Sequence, residues 1–308
     1  MVAALACASS PEERAPAPEQ AAPASEPSAE PPPVEAEPEP PAGTPGPWTE
    51  ERTLESAPYD EPNAPSVIVH APPSFDPARP IRLVVFLHGW SGCVRVLVHA
   101  GPTRCKDADR PRDGWDLAGR FDEAGTDALF VVPQLAFLER SGRPGRFAEE
   151  GRFRAFLAEL LASLSPRIGP GRSLRDVESV TLLAHSAGFE SAIAILARGG
   201  VDVRNVVLFD ALYAGVEPFG RWALEREDRK LVSLYTGGGR TASQNRRLAR
   251  WASARLEGAA LAVDRDEPLA SRVAAARVVI ARSPAPHGEV PARHLPELLA
   301  PLGQSARR

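Results

Sequence analysis

The sequence predicts an α/β protein with a doubly wound, mostly parallel sheet of about seven to eight strands. Three observations predict this fold class. Short apolar runs rich in Val, Leu and Ile recur along the chain, helical patterns separate them, and about 245 residues remain after a proline-rich start, which suits one domain. The runs are near-continuous and not alternating, as is typical of parallel strands that are covered on both faces.

Seven strands are predicted directly, and the first two are joined by a proline-rich turn that suits an antiparallel entry at a sheet edge. The predicted strands are 66–72, 81–89, 128–134, 179–186, 206–212, 230–237 and 277–283. Apolar residues at helical spacing predict helices over 148–164, 187–198 and 242–256, and a further helix at the end of the chain. In such a sheet, active sites lie at the carboxyl ends of the strands.

The N-terminal part differs in composition, because most of the chain's 33 prolines lie in its first quarter. The stub MVAALA before Cys7 resembles the end of a bacterial lipoprotein signal peptide, so residues 1–7 are interpreted as a truncated signal-like segment. Residues 8–57 predict a disordered spacer, since Pro, Ala and Glu leave too little apolar surface to offset chain entropy. The folded domain is expected over residues 58–303.

The lipoprotein resemblance implies a thioether-linked lipid on Cys7 and an exported protein, anchored in the envelope or periplasm of a bacterium. The alternative is a cytosolic protein with a chance cysteine. The chain carries 36 Lys and Arg against 40 Asp and Glu, a net charge of −4, which disfavours nucleic acid as a partner. No later run reaches the roughly 18 apolar residues of a membrane span, so the lipid would be the membrane contact.

The other two cysteines, Cys93 and Cys105, lie in one loop region. An oxidising compartment would let them pair. Metal binding is disfavoured because the spacing is not that of a CxxC pair and no histidine pair lies nearby. A pair of free thiols remains the alternative. The sequence predicts no metal and no cofactor.

The pentapeptide AHSAG at 184–188 follows an apolar strand and precedes a helix. It resembles the nucleophile elbow of the α/β-hydrolase superfamily, G-x-S-x-G, and departs from it at Ala184. The resemblance implies that Ser186 is a nucleophile. The alternative for Ser186 is an ordinary helix N-cap.

The strand at 81–89 ends in His88-Gly89-Trp90, which resembles the superfamily's H-G-x oxyanion turn. The resemblance implies that the backbone N–H groups of Trp90 and Ala187 stabilise the charge that develops on a carbonyl oxygen. His88 is expected to brace this loop and not to act as the base.

Asp210 ends the strand that follows the elbow helix, a known variant position for the superfamily's acid. The strand at 230–237 offers no carboxylate, so Asp210 is favoured, with Asp264 and Asp266 in reserve. The alternative for Asp210 is capping of the following helix.

His287 follows the last strand, where the superfamily keeps its general base. His294 competes from within the terminal helix, and the alternative for both is a solvated surface histidine. His185, next to Ser186, is expected to line the pocket at most.

These residues together predict a serine hydrolase that cleaves an ester or amide of a small to medium or cell-envelope substrate through an acyl-enzyme. The arginine-rich segment 138–154 offers an attraction for anionic substrates, although a solvated helix face and loop is the simpler interpretation. The rival function is a non-catalytic envelope lipoprotein that uses the same scaffold for binding. In the hydrolase, Ser186, His287 and Asp210 must lie within hydrogen-bond reach of one another, whereas separate pockets favour the rival.

Overall fold

The computed structural model describes residues 44–303. Within that range, nine strands form one sheet in the order β1-β2-β6-β3-β7-β8-β9-β11-β10, and two very short strands, β4 and β5, form a separate ribbon. The strands are β1 (Trp48–Arg52), β2 (Val67–Ala71), β3 (Ile81–Leu87), β4 (Pro102–Thr103), β5 (Arg112–Asp113), β6 (Leu129–Pro133), β7 (Val177–His185), β8 (Asn205–Phe209), β9 (Lys230–Tyr235), β10 (Leu261–Val263) and β11 (Val278–Arg282).

Eight of the nine described strands of the main sheet run in one direction, and β2 alone runs against them. The antiparallel direction of β2 agrees with the sequence prediction, but its position does not. β2 lies between β1 and β6, and β3 is not its neighbour. The sheet is thus one or two strands wider than predicted, because β1 and the three-residue β10 extend its edges.

Helices cover both faces of the sheet, as the near-continuous apolar strands require. The helices are α1 (Val94–Val98), α2 (Leu117–Glu123), α3 (Arg152–Ser163), α4 (Ser165–Ile168), α5 (Phe189–Arg198), α6 (Val216–Glu225), α7 (Gly239–Ser253), α8 (Leu269–Ala275) and α9 (Val290–Gly303). Along β3, Leu83 and Val85 pack into the core with α3 and α5, whereas Val84 and Phe86 pack into the core with α2 and α9. One apolar layer therefore packs against each face of the sheet, and the two layers together hold the carboxyl ends of the strands in fixed positions.

The predicted boundary of the spacer at residue 57 is wrong. Trp48 begins β1 and is buried, with its ring edge-on to Phe75 at 6.1 Å between centroids. The charged neighbours of Trp48 also have partners, since Glu50 accepts a hydrogen bond from Arg167 Nε at 2.6 Å. Leu54 is buried as well. Burial of Trp48 and Leu54 stabilises this segment in spite of the polar residues around them. The folded domain therefore begins at least ten residues before the predicted start.

Candidate active site

Ser186 lies at the turn from β7 into α5, in the left-handed backbone region with φ of 54°. Such a conformation is strained for a side chain other than glycine and presents the hydroxyl above the sheet edge. Small neighbours make the turn possible. A Cβ at Gly188 would come within 2.2 Å of the Leu87 carbonyl oxygen, and one at Gly142 within 1.8 Å of the Ala187 carbonyl oxygen. The elbow therefore packs against surrounding backbone at the position the sequence predicts.

His287 lies in the loop between β11 and α9, and its two ring nitrogens contact two different predicted residues. Nε2 is 2.9 Å from Ser186 Oγ, and Nδ1 is 2.7 Å from Asp210 Oδ2. The arrangement assigns the proton of the neutral ring to Nδ1, which donates to the carboxylate, and leaves Nε2 free to accept from the serine hydroxyl. The side chain of His287 is 41% exposed, so substrate and water can reach it.

Asp210 follows β8 and is 2% exposed, with φ of 44°. Burial alone raises the pKa of a carboxyl, but hydrogen bonds from His287, Thr241 and Thr236 outweigh it and lower the pKa of Asp210 to about 2. Thr236 contributes both its backbone N–H, at 3.1 Å, and its hydroxyl, at 2.8 Å. Asp210 is therefore an oriented acceptor for the imidazole and is ionised near neutral pH. Thr236, directly after β9, supplies the orientation.

The two predicted oxyanion donors lie on adjoining turns. Ala187 directly follows Ser186, and the turn that carries Trp90 lies against the elbow, since a Cβ at Gly89 would be 3.2 Å from the Ala187 nitrogen. Ser91 N–H donates to the Glu139 carbonyl at 2.7 Å, which fixes the far side of that turn. The backbone of Trp90 is thus held beside Ser186, while its side chain is 61% exposed at the mouth of the site.

His88 braces the turn, as expected. It is buried, and Nδ1 donates to the Gly89 carbonyl at 2.9 Å while Nε2 accepts the Leu135 N–H at 2.9 Å. Burial lowers the pKa of His88 to about 4, so the ring is neutral at pH 7. His88 therefore ties the end of β3 to the segment after β6.

His185 is buried beside the proposed base. Its Nε2–H donates to the His287 carbonyl at 3.0 Å, and the two rings lie 4.8 Å apart between centroids. Burial, followed by the proximity of His287, lowers the pKa of His185 to about 3. The residue lines the cavity described below, and it also holds the backbone of the loop that carries His287.

The reserve candidates lie elsewhere. His294 is buried in α9, where Nε2 contacts the Ser283 hydroxyl at 2.8 Å and Nδ1 contacts Glu297. Asp264 accepts hydrogen bonds from the Tyr235 hydroxyl and the Arg282 N–H. Asp266 is exposed. The structure brings none of these three into contact with Ser186 or His287.

A cavity of about 270 Å³ opens beside Ser186 and His287. Its wall includes Cys93, which forms a disulfide with Cys105 at an S–S distance of 2.06 Å. The segment closed by this bond and the residues after it bring Trp115 and Arg112 to the cavity. Sequence reasoning missed both residues, because they come from irregular loops without a motif.

Tyr213 is a third residue that the sequence did not single out. Its ring lies edge-on to His287, 6.4 Å between centroids, and is tilted against Phe189 at 6.1 Å. Burial and the charge of Asp210 raise the pKa of Tyr213, and a hydrogen bond with Ser186 opposes them. The phenol is therefore neutral and lies beside the proposed nucleophile. An aromatic residue three positions after the proposed acid was the available signal.

Among residues 44–303, no group of three His, Cys, Asp or Glu side chains is arranged to hold a metal ion. No helix in the same part of the chain is long and apolar enough to cross a membrane. Cys7 and the signal-like segment lie outside the described residues. None of the five arginines of segment 138–154 lines the cavity beside Ser186: Arg146 pairs with Asp60 and Arg152 with Glu149, while Arg140 is exposed.

Two examples represent the solved structures that are similar to this chain. One is a mutant of the feruloyl esterase module from Clostridium thermocellum in complex with sinapinate, with 11% identity, 87% of this chain and 96% of that chain covered, and a TM-score of 0.50. The other is a protein described as FAE, with 11% identity, 87% and 97% covered, and a TM-score of 0.51. No family model and no curated protein matches the chain. The likeness establishes the fold: this chain has the α/β-hydrolase fold.

Proposed function

We propose that the protein is a serine hydrolase that cleaves an ester or amide of a small to medium substrate through a covalent acyl-enzyme. The observation that carries the proposal is the unbroken hydrogen-bond chain from Ser186 Oγ through the His287 ring to Asp210, with 2.9 Å and 2.7 Å between the heavy atoms. Nucleophile, base and orienting acid in such a chain are the recurring arrangement of acyl transfer. Hydrolase-fold neighbours support the same class of reaction.

In the first half of the reaction, Ser186 Oγ attacks the substrate carbonyl carbon while His287 Nε2 takes the hydroxyl proton. The carbonyl oxygen becomes an oxyanion and accepts hydrogen bonds from the N–H groups of Ala187 and Trp90, which contribute a few kcal/mol to the transition state. Asp210 stabilises the imidazolium that has formed. Collapse of the tetrahedral intermediate expels the alcohol or amine, which takes its proton from His287.

In the second half, water enters on the exposed side of His287, which removes a proton as the water oxygen attacks the acyl carbon. The carboxylic acid leaves and the proton returns to Ser186 Oγ, so atoms and charge balance over the cycle. A cavity of about 270 Å³ suits an acyl group of small or medium size, below the usual volume of drug-sized pockets. The rival binding function required separate pockets for the three side chains, and their contacts count against it.

The direct test is hydrolysis of short 4-nitrophenyl esters and anilides by the purified protein. Wild type is expected to turn over at least the activated esters, and Ser186→Ala is expected to lose most of kcat. Ser243→Ala is the matched control, because that hydroxyl is exposed on α7 and bonds only its own helix. Hydrolysis that persists in Ser186→Ala contradicts the proposal.

We also propose that the protein is exported and anchored by a lipid on Cys7. The disulfide between Cys93 and Cys105 supports export, because such bonds persist in oxidising compartments. Metabolic labelling of the protein with an alkynyl fatty acid in bacterial cells that express its gene tests the anchor. Label is expected on the wild type and absent from Cys7→Ser. Equal labelling of Cys7→Ser contradicts it.

A further inference from the structure

Arg112 is the only residue with a permanent charge on the wall of the cavity beside Ser186, among the residues that the structure describes. The rest of the wall is aromatic, aliphatic, glycine or neutral polar, and no Asp or Glu belongs to it. A fixed cation in an otherwise neutral cavity attracts a ligand that carries the opposite charge.

The charge of Arg112 is not neutralised within residues 44–303. Its Nη1 donates to the Ser91 carbonyl at 3.3 Å and contacts Cys105 Sγ at 3.8 Å, and neither partner is anionic. By contrast, Arg95 on the same side of the protein is paired with Glu51 at 2.7 Å. Arg112 therefore retains hydrogen-bond donors and a full charge for a ligand.

The position of Arg112 is defined by the chain around it. It belongs to β5, which pairs with β4, and the Cys93–Cys105 disulfide ties that ribbon to the start of α1. The next turn is also fixed, since the Trp115 N–H donates to the Val96 carbonyl at 2.8 Å. Two short strands and a disulfide thus hold the backbone of Arg112, an exposed residue, at the wall of the cavity to which Ser186 also belongs.

The leaving group and the acyl group need different places. The leaving group takes its proton from His287, which is 41% exposed, and departs on that open side. The acyl group stays bonded to Ser186 and occupies the cavity, where Val96, Leu97 and Trp115 offer apolar contacts. Arg112 belongs to the wall of this same cavity, so it is the cation available to an anionic group on the acyl chain.

We infer that the enzyme prefers acyl groups with a second carboxylate at the far end, that is, monoesters of dicarboxylic acids, and that Arg112 is the specificity-determining residue. A guanidinium forms two parallel hydrogen bonds with a carboxylate, which a neutral acyl chain cannot accept. This inference rests on the proposed function. It locates the anion-binding arginine in strand β5, after Cys105, and not in the segment 138–154.

The test compares two substrates with the same leaving group: 4-nitrophenyl hydrogen adipate and 4-nitrophenyl heptanoate, each corrected for its spontaneous hydrolysis. Wild type is expected to show the higher kcat/KM for the adipate, and the advantage is expected to shrink as ionic strength rises. Arg112→Gln is expected to lower kcat/KM for the adipate about tenfold or more, with less than about a threefold change for the heptanoate. Arg112→Lys keeps the charge and is expected to retain part of the preference.

Arg140→Gln is the matched control, because Arg140 is exposed and does not line the cavity. It is expected to leave both substrates within about twofold of wild type. A wild type that cleaves the heptanoate without any preference for the adipate overturns the inference. So does an Arg112→Gln variant that changes both substrates equally. Hydrolysis of either ester by Ser186→Ala overturns the proposed function instead, so the two failures are distinguishable.

Discussion

Asp210 and His287 are 77 positions apart in the sequence, yet Asp210 Oδ2 lies 2.7 Å from His287 Nδ1, on the ring edge opposite Ser186. The contact requires a proton on Nδ1 and leaves Nε2 as the acceptor that a general base needs. The imidazole of His287 therefore has its tautomer selected by a carboxylate whose pKa is about 2.

Asp210→Asn is expected to lower kcat by about 10³- to 10⁴-fold, because the amide NH₂ would favour the tautomer with the proton on Nε2. Asp264→Asn is the control, since Asp264 also follows a strand and has a positive φ of 41°, but bonds Tyr235 and Arg282. Steady-state kinetics with melting curves separate catalysis from folding. A larger loss of kcat in Asp264→Asn than in Asp210→Asn would show that Asp210 is not the acid.

Ser186→Ala and His287→Ala are each expected to remove most of kcat, and the double variant is expected to be little worse than either. The reason is that the base has no proton to accept without the nucleophile, so the two side chains act as a unit. A double-mutant cycle on kcat measures this. Losses that add fully in free energy would mean that the 2.9 Å contact between the two residues has no part in the reaction.

The Cys93–Cys105 disulfide closes a segment with a sequence separation of 12. Replacing both cysteines by alanine is expected to lower the free energy of unfolding by about 3 kcal/mol, the value for a loop of this length. Denaturant unfolding with and without reductant checks it, in a background with Cys7→Ser. Reductant should destabilise the protein with the pair and leave the double alanine variant unchanged. Equal sensitivity of the two proteins to reductant would contradict the prediction.

His88 predicts a pH dependence of stability. Its folded-state pKa of about 4 lies below the ordinary value of about 6.5 in the unfolded chain. The contribution of neutral His88 is therefore complete above pH 6.5, and falls by about 1.4 kcal/mol per pH unit as the pH drops toward 4.

His88→Gln keeps an acceptor for the Leu135 N–H and removes the titrating group. The variant is expected to lose less stability than wild type between pH 6.5 and 4. The slope of its unfolding free energy against pH is expected to be smaller by the amount that corresponds to about one bound proton. Denaturant unfolding at several pH values measures both slopes. Equal slopes of unfolding free energy against pH in the two proteins would contradict the prediction, because they would mean that folding does not change the pKa of His88.

The positions of Ser186, Asp210 and His287 follow from the sequence because parallel strands bring their carboxyl ends to one edge of the sheet. Ser186 and Asp210 directly follow a strand, and His287 lies in the loop after one. The strands around these residues are recognisable as near-continuous apolar runs, and the helices between them by their helical spacing of apolar residues. The chain order of the superfamily that the sequence resembles then leaves few alternatives for the acid and the base.

Other features have no such signal. Trp48 lies at the end of a Pro- and Glu-rich tract whose composition hides the strand β1, and β10 has only three residues. Arg112 and Trp115 reach the cavity through a disulfide and tertiary packing, with no periodicity to mark them. Their positions depend on long-range contacts, which a local pattern does not encode.

The proposed function depends above all on activation of Ser186 by His287. Reaction of the purified protein with a fluorophosphonate probe, followed by intact-mass measurement and peptide mapping, tests this activation. We expect one adduct per chain, on the peptide that contains Ser186, and we expect it to be absent from Ser186→Ala and to form much more slowly in His287→Ala. An adduct of the same stoichiometry in Ser186→Ala, or no adduct in folded wild type, would show that Ser186 is not the activated nucleophile.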